Sequence, residues 1–113
     1  MYVRDAESMP WEVAHSAGVS YKSLRFDRGS KAGAVMIHMT PGTTYPRHKV
    51  HEGQDIFVVD GELIVGESRV SRGQYAWVAA GAESEPRTEK GCVLFVTFPG
   101  QVEHLHAPIS FEI

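Results

Sequence analysis

Histidines are the residues best suited to chemistry in this sequence of 113 residues, which contains six of them. The sequence has no phosphate-binding glycine loop, no Cys-x-x-Cys pair and no His-Glu-x-x-His motif. His48 and His51 stand close to Gln54 and Asp55, just before an apolar segment. Imidazole nitrogens and carboxylate or amide oxygens on neighbouring β positions can converge on one divalent ion. This cluster is therefore the candidate metal site.

Turn residues recur at short intervals and indicate an all-β fold. From residue 42 onward, glycines separate short segments rich in Val, Ile, Phe, Tyr and Trp, and no segment keeps an apolar period near 3.6. The predicted strands are 21–26, 34–40, 44–49, 55–59, 62–65, 74–79, 92–98 and 102–106. Asp60-Gly61 predicts a tight hairpin turn between two of them, because Asp-Gly readily adopts positive φ angles. Strands this short must close into a barrel or a double-sheet jelly roll to limit exposed edges.

The composition limits the classes of protein and partner. The 11 Lys and Arg residues against 14 Asp and Glu residues give a net charge of −3, which argues against a nucleic-acid partner. Cys92 lies in an apolar segment and has no second cysteine to pair with, so we expect a buried thiol in a reducing compartment. The sequence shows no apolar leader and no run of 18 apolar residues. We therefore predict a cytoplasmic protein without a membrane partner.

Two segments resemble the motifs of the cupin superfamily. Gly42, His48, Gln54 and Gly61 have the spacing of the first cupin motif, in which His-x-His and Glu lie between two glycines. The segment 73–81 is similar to the second motif. Other residues resemble small cupins related to the cupin domain of zinc-binding anti-sigma factors: Trp11, Gly18-Val19, Leu24 and 91–95. The resemblance implies an all-β, single-domain cupin β-barrel, a double-stranded β-helix of the jelly-roll type.

The cupin ligand positions are largely altered in this sequence. The residues that correspond to the family's two motif-one histidines, its glutamate and its last histidine are His48, Val50, Gln54 and Ser84. An isopropyl group cannot coordinate a metal, and a serine hydroxyl is a poor neutral ligand compared with imidazole. This alignment predicts a cavity that is metal-free or binds metal weakly.

A second alignment keeps more of the site. With one extra residue in a β-bulge at Lys49-Val50, His51 takes the second ligand position, and Asp55 follows at the spacing of the family's acidic ligand. In a regular strand His48 and His51 point to opposite faces, so this alignment depends on the bulge. It predicts metal binding by His48 and His51 with help from Gln54 or Asp55. The alternative is a polar, metal-free cavity with His51 at its rim.

Three other histidines compete for the missing ligand position. His104 and His106 share one face of the last predicted strand at the spacing of a metal pair, and the alternative is that they are ordinary terminal residues. His38 shares a strand face with Met36 and Thr40. It either lines the cavity or is an ordinary half-buried residue.

The cupin alignment also assigns faces to the strand after the metal cluster. Even positions in 54–58 are predicted to point inward, and odd positions in 55–59 outward. An outward pair of Phe57 and Val59 requires a cover, either the N-terminal segment around Trp11 or a second subunit. We predict a homodimer.

Two functions follow from the resemblance and the altered ligands. The first is a metal-dependent enzyme, similar to cupin dioxygenases or isomerases, that uses Fe, Mn, Ni or Zn and acts on a small oxygenated molecule. The second is a metal-free module that binds or senses a small molecule without turnover. In either case residues 1–113 are predicted to form one cupin domain, with an N-terminal arm and first strands in 1–33, the barrel in 34–106 and a tail in 107–113.

Overall fold

The computed structural model describes residues 1–105, and over these residues it contains ten strands and no helix. The strands are β1 (Glu12–Val13), β2 (Val19–Phe26), β3 (Gly33–Met39), β4 (His48–Val50), β5 (Gln54–Val65), β6 (Ser68–Ser71), β7 (Tyr75–Val78), β8 (Ala82–Ser84), β9 (Cys92–Phe98) and β10 (Val102–His104). The all-β prediction is confirmed. Within the same residues, no helix is long and apolar enough to cross a membrane.

The strands form two antiparallel sheets. The larger sheet has the order β1-β2-β3-β9-β5-β6, with β7 also paired to β5, and the smaller has the order β10-β4-β8. Alternating residues of β3 and β9 supply much of the core, and their buried members include Val35, Met39, Leu94, Val96 and Phe98. The β-branched and aromatic residues in these strands favour extended backbone and pack well on a half-buried pleated surface. The core therefore lies on the inner face of the larger sheet.

Strand β5 is continuous through Asp60 and Gly61, so the hairpin predicted there is wrong. β9 pairs with β5 from Asp55 to Gly61, with a register shift between Val58 and Asp60 as in a β-bulge, and β6 pairs with β5 from Glu62 onward. Gly61 has a φ angle of 77°. The Asp-Gly pattern indicates a positive φ angle, and the structure has one at this position. Because the strand also pairs with β9 here, the positive φ accompanies a bulge within the strand and not a hairpin turn. The chain turns instead at Gly66, where β5 and β6 meet as a hairpin.

The assignment of strand faces in β5 is confirmed. Ile56 and Val58 are 4% and 0% exposed, whereas Phe57 and Val59 are 42% and 41% exposed. Gln54 is also buried. The period of two in the sequence therefore identifies the inner and outer sides of the larger sheet.

Other strand predictions hold only in part. The predicted strand 44–49 is shorter and later in the structure, as β4, and the predicted strand 102–106 is described only as far as His104 of β10. His106 and the predicted tail 107–113 lie outside the described residues. The sequence analysis missed β6 and β8 because their polar residues lack an apolar alternation.

The N-terminal segment covers the outer face of β2 and β3. The Lys22 ammonium donates a hydrogen bond to the Ala6 carbonyl oxygen at 2.6 Å and lies 4.5 Å from the centre of the Trp11 ring. His38 packs against the same ring, with 5.7 Å between ring centres. His38 therefore points to the outer side of the sheet and does not line the space between the sheets.

Cys92 is buried, as predicted, at the start of β9. Burial raises the pKa of its thiol to about 11. The thiolate is the reactive form of cysteine, so this side chain packs as a small apolar group and does not act as a nucleophile at neutral pH.

Candidate functional site

Three polar side chains lie in one row across the smaller sheet. His48 on β4 is paired with Ser84 on β8 and with His104 on β10. Val50 is paired with residues of the same two strands, so the pairing of β4 is regular on both sides. The bulge proposed at Lys49-Val50 is therefore absent, and the Val50 side chain is 1% exposed in the interior.

A small cavity of about 20 Å³ lies between the two sheets. Its polar lining comes from Tyr45, His48 and Gln54, and none of its lining residues is acidic. The apolar lining residues come from β3, β5 and β9 of the larger sheet and from the loop after β8: Ile37, Met39, Ile56, Leu63, Leu94, Val96 and Pro86. A volume of this size holds about one water-sized particle. The interior therefore has room for an ion or a water molecule beside His48, and no room for an organic molecule.

His48 is held as a neutral ring by its backbone contact. Its Nδ1 atom lies 3.1 Å from the Pro46 carbonyl oxygen. A carbonyl oxygen can only accept, so Nδ1 carries the proton and Nε2 keeps its lone pair. Burial lowers the pKa of His48, while hydrogen bonding with the Pro46 carbonyl and with the Gln54 side chain partly opposes this shift. Metal-binding histidines commonly donate their second nitrogen to a backbone carbonyl in this way.

His104 lies beside His48 and is also neutral. The two ring centres are 6.2 Å apart, and the Tyr45 ring lies 5.1 Å from His48 and 5.9 Å from His104. Burial lowers the pKa of His104 to about 4, and the neighbouring His48 contributes to the shift because two positive rings would repel each other. Neutral imidazole is the form that binds metals.

His51 and Asp55 have other partners. His51 follows the end of β4, and its Nε2 atom lies 2.7 Å from a carboxylate oxygen of Glu103, with 35% of the His51 side chain exposed. Asp55 belongs to the outward positions of β5, where its carboxylate accepts hydrogen bonds from the hydroxyls of Tyr75 and Thr97.

Of the four residues in the predicted ligand set, the structure brings His48 and Gln54 together and places His51 and Asp55 elsewhere. Metal binding by these residues stays a prediction. The sequence analysis gave no role to Tyr45 and considered His104 only with His106. The two-residue spacing of His104 and His106 was the signal in the sequence that pointed to His104. The sequence could not show that its strand pairs with β4, which is what places His104 beside His48.

A comparison with protein families matches residues 1–103 to the model described as the ChrR Cupin-like domain. The chain belongs to the ChrR cupin-like family. The predicted resemblance to the cupins of zinc-binding anti-sigma factors is thereby confirmed at the level of the family. A comparison with curated proteins gives no match.

Solved structures agree with the cupin fold of this ChrR-like chain. A provisionally assigned acetylacetone dioxygenase from Methylibium petroleiphilum has a TM-score of 0.86 at 13% identity, over 97% of this chain and 86% of that chain. An RmlC-like cupin from Ralstonia eutropha has a TM-score of 0.80 at 18% identity, over 95% and 73%. The anti-sigma factor ChrR of Rhodobacter sphaeroides, solved in complex with SigE, has a TM-score of 0.71 at 21% identity, over 84% and 52%. Identities this low show the shared fold alone.

The donor set of this ChrR-like cupin differs from the four-ligand set of the family's motifs. Within residues 1–105, no group of three or more His, Cys, Asp or Glu side chains has the arrangement of a metal site. His48 and Gln54 line the cavity, and His104 lies beside His48 on β10 without lining it, while Val50 and Ser84 stand at two positions where the family's motifs have histidine ligands. These residues fit a reduced, charge-neutral site with two nitrogen donors.

Proposed function

We propose that this ChrR-like cupin binds a divalent metal ion between its sheets, with the imidazoles of His48 and His104 and the amide oxygen of Gln54 as ligands. The observation that carries the proposal is the cross-strand pair of His48 and His104, whose rings face one another from β4 and β10. Both rings are neutral at neutral pH because burial lowers the pKa of each.

The two rings are close enough to share an ion after a small movement. A zinc–nitrogen bond is about 2.1 Å long, and a ring nitrogen lies roughly 1.1 Å from the ring centre, so two imidazoles on one tetrahedral ion have centres about 5.2 Å apart. The observed value is 6.2 Å, so ligation by both rings requires them to approach each other by about 1 Å. Imidazole suits Zn, Ni and Fe, whereas Mn prefers carboxylates, so the donor set favours Zn, Ni and Fe over Mn.

The cavity favours binding over turnover. A divalent ion fits a space of about 20 Å³, but a site for a small organic ligand measures about 300 Å³ or more. A bound divalent ion would supply Lewis acidity in this site. His48 and His104 would hold the ion, and the apolar residues around it would exclude water. The proposed role is therefore metal binding, as in a sensing module, and the dioxygenase- or isomerase-like activity predicted from the resemblance receives no support from this geometry.

A metal-free binding module is the second candidate. Val50 fills a common ligand position with an isopropyl group, and no residue lining the cavity is acidic, so the charge of a divalent ion is not compensated. In this case His48, Gln54 and Tyr45 would form a polar cluster that recognises a very small neutral ligand or a water molecule.

Calorimetric titration with Co(II) and Zn(II) at a pH of about 8 distinguishes the candidates, because ligating histidines must be neutral. We expect about one ion per chain in the wild type, and loss of binding in His48→Ala and in His104→Ala. His51→Ala is the matched control, since His51 lies beside the same strand but bonds to Glu103. Circular dichroism verifies that each variant is folded.

Three outcomes are informative. Binding that survives His104→Ala but not His51→Ala would contradict the proposed site and restore the ligand set predicted from the sequence. Absence of binding in the wild type would favour the metal-free module. Binding that survives His48→Ala would place the ion outside the space between the sheets.

A further inference from the structure

The outer side of the larger sheet carries a patch of large apolar side chains, which we call the aromatic face. It consists of Phe57, Val59, Tyr75, Trp77 and Phe95, which are 42%, 41%, 60%, 64% and 37% exposed. Strand pairing places Phe57 directly between Tyr75 and Phe95, so the side chains of three adjacent strands form one continuous surface. A contiguous apolar surface on a soluble protein marks an interaction site more often than scattered exposed residues do.

The chain's N-terminal segment does not cover the aromatic face. Lys22 and Trp11 hold this segment on the outer side of β2 and β3, as described above. The exposed fractions of Phe57 and Tyr75 show that residues 1–105 leave the β9, β5 and β7 side open. The sequence analysis predicted that either the N-terminal segment or a second subunit covers Phe57 and Val59. The N-terminal segment packs on the other half of the sheet, so it does not cover them.

The charges on the aromatic face suit a second copy of the same surface. None of its five members is charged; Asp55 lies at one edge, where the hydroxyls of Tyr75 and Thr97 donate to its carboxylate, and the exposed Asp60 lies at the other edge opposite Val93. The face contains no Lys or Arg. Aromatic residues are enriched and lysines depleted at the centres of protein interfaces. Because a twofold interface places one patch against itself, a patch with several like charges would repel its copy, whereas this face would not.

We propose that the aromatic face is the interface of a homodimer, in which the β9-β5-β7 surfaces of two chains pack against each other. Aromatic side chains bury about 150 to 250 Å² each, so the exposed fractions give on the order of 500 Å² of apolar surface per chain. A standard interface buries about 800 Å² per partner, of which about 60% is apolar. The apolar area of the aromatic face therefore matches that of a standard interface. This inference does not depend on metal binding.

Light scattering coupled to size exclusion, together with sedimentation velocity, tests the proposal on the full chain. We expect a mass of about twice 12.5 kDa at micromolar concentration. Phe57→Lys, at the centre of the face, should give a monomer with an unchanged circular dichroism spectrum. Val13→Lys is the matched control, because Val13 is 85% exposed on β1 and lies outside the face, so this variant should remain dimeric.

Trp77 gives an independent readout of the same interface. Trp11→Phe leaves Trp77 as the single tryptophan, since the sequence contains two. Its emission should shift to shorter wavelength as concentration rises, and this shift should disappear when Phe57→Lys is added. An emission maximum that does not change with concentration would contradict the proposal.

Other oligomeric outcomes would overturn the proposal. A wild type that stays monomeric at high micromolar concentration contradicts it, as does a Phe57→Lys variant that remains dimeric. Loss of the dimer in Val13→Lys as well would show that association does not depend on this face. A monomeric full chain whose truncation after residue 105 dimerises would assign the aromatic face to the chain's own C-terminal residues instead.

Discussion

Gly61 on β5 lies directly against the backbone of Gly91, just before β9. A β-carbon at position 61 would overlap the Gly91 carbonyl oxygen and come within 2.8 Å of the Cα atom of Cys92. The φ angle of Gly61 is 77°, so both the backbone conformation and the space exclude a side chain. This contact lies where the pairing of β5 with β9 ends, just after the bulge between Val58 and Asp60.

Gly61→Ala should therefore lower the free energy of unfolding by about 3 kcal/mol or more, because strain in the left-handed region adds to the steric overlap. Urea denaturation measures this change. Gly73→Ala is the matched control, since Gly73 has a φ angle of 80° with open space around its β position. It should cost only about 1 to 2 kcal/mol. Equal losses in the two variants would contradict the role of the Gly91 contact.

Val50→His should raise metal affinity. In the regular register of β4, residue 50 shares the inner face with His48, so the substitution creates the His-x-His pair of the first cupin motif. We expect at least about a tenfold gain in Co(II) affinity, measured by visible absorption. Lys49→His, one residue earlier on the opposite strand face, should leave the affinity unchanged. A gain in the Lys49 variant alone would mean that the register of β4 is shifted in solution.

The metal-free protein should lose stability as the pH falls from about 6.5 towards 4. The pKa values of His48 and His104 are lowered by burial, that of His104 to about 4, so between these pH values the unfolded chain takes up protons that the folded chain does not. The contribution of the two neutral rings to the free energy of unfolding is therefore fully present above a pH of about 6.5, the unperturbed pKa of histidine. It is lost progressively as the pH falls below that value. Urea denaturation at a series of pH values, with a chelator present, measures the slope.

His104→Gln should make this pH dependence shallower, because one of the two groups no longer titrates. Ser84→Ala, which removes a polar side chain that does not titrate from the same row, serves as the control and should keep the wild-type slope. An unchanged slope in the His104 variant would show that this ring is not kept neutral by burial.

Glu62 should stabilise the loop between β8 and β9. Its buried carboxylate accepts hydrogen bonds from the backbone N–H groups of Lys90 and Glu89 and from the Thr88 hydroxyl. The Lys90 hydrogen bond contributes most to the lowered pKa of Glu62, and the ion pair with Arg69 adds to it. Glu62→Gln should destabilise the fold by about 1 to 3 kcal/mol at neutral pH.

This cost should shrink in acid. A carboxyl whose folded pKa is lowered stabilises the fold above its unfolded pKa of 4.5, and that contribution is lost as the pH falls through the folded pKa. Glu89→Gln is the control, since this side chain is 53% exposed and its ion pairs contribute little. If the Glu89 variant loses as much stability as the Glu62 variant, the buried carboxylate is not the stabilising group.

The sequence by itself determined the local properties of the strands. The period of two in 54–59 assigned Phe57 and Val59 to the outer side and Ile56 and Val58 to the core, because alternate side chains of any strand point to opposite faces. The motif spacing around Gly42, His48 and Gln54 also gave the resemblance to the cupin fold, because the residues of one motif lie close together in the sequence.

Only the tertiary structure decided how distant strands pair. Asp60-Gly61 has the local signal of a hairpin, but pairing with β9 up to Gly61 and with β6 from Glu62 onward keeps the strand continuous. His104 faces His48 because β10 pairs with β4 across more than fifty residues of sequence, and His51 leaves the interior because the same pairing keeps β4 regular. Local propensity fixes which way a side chain points on its own strand, whereas strand pairing, which depends on packing the whole core, fixes which side chain it meets.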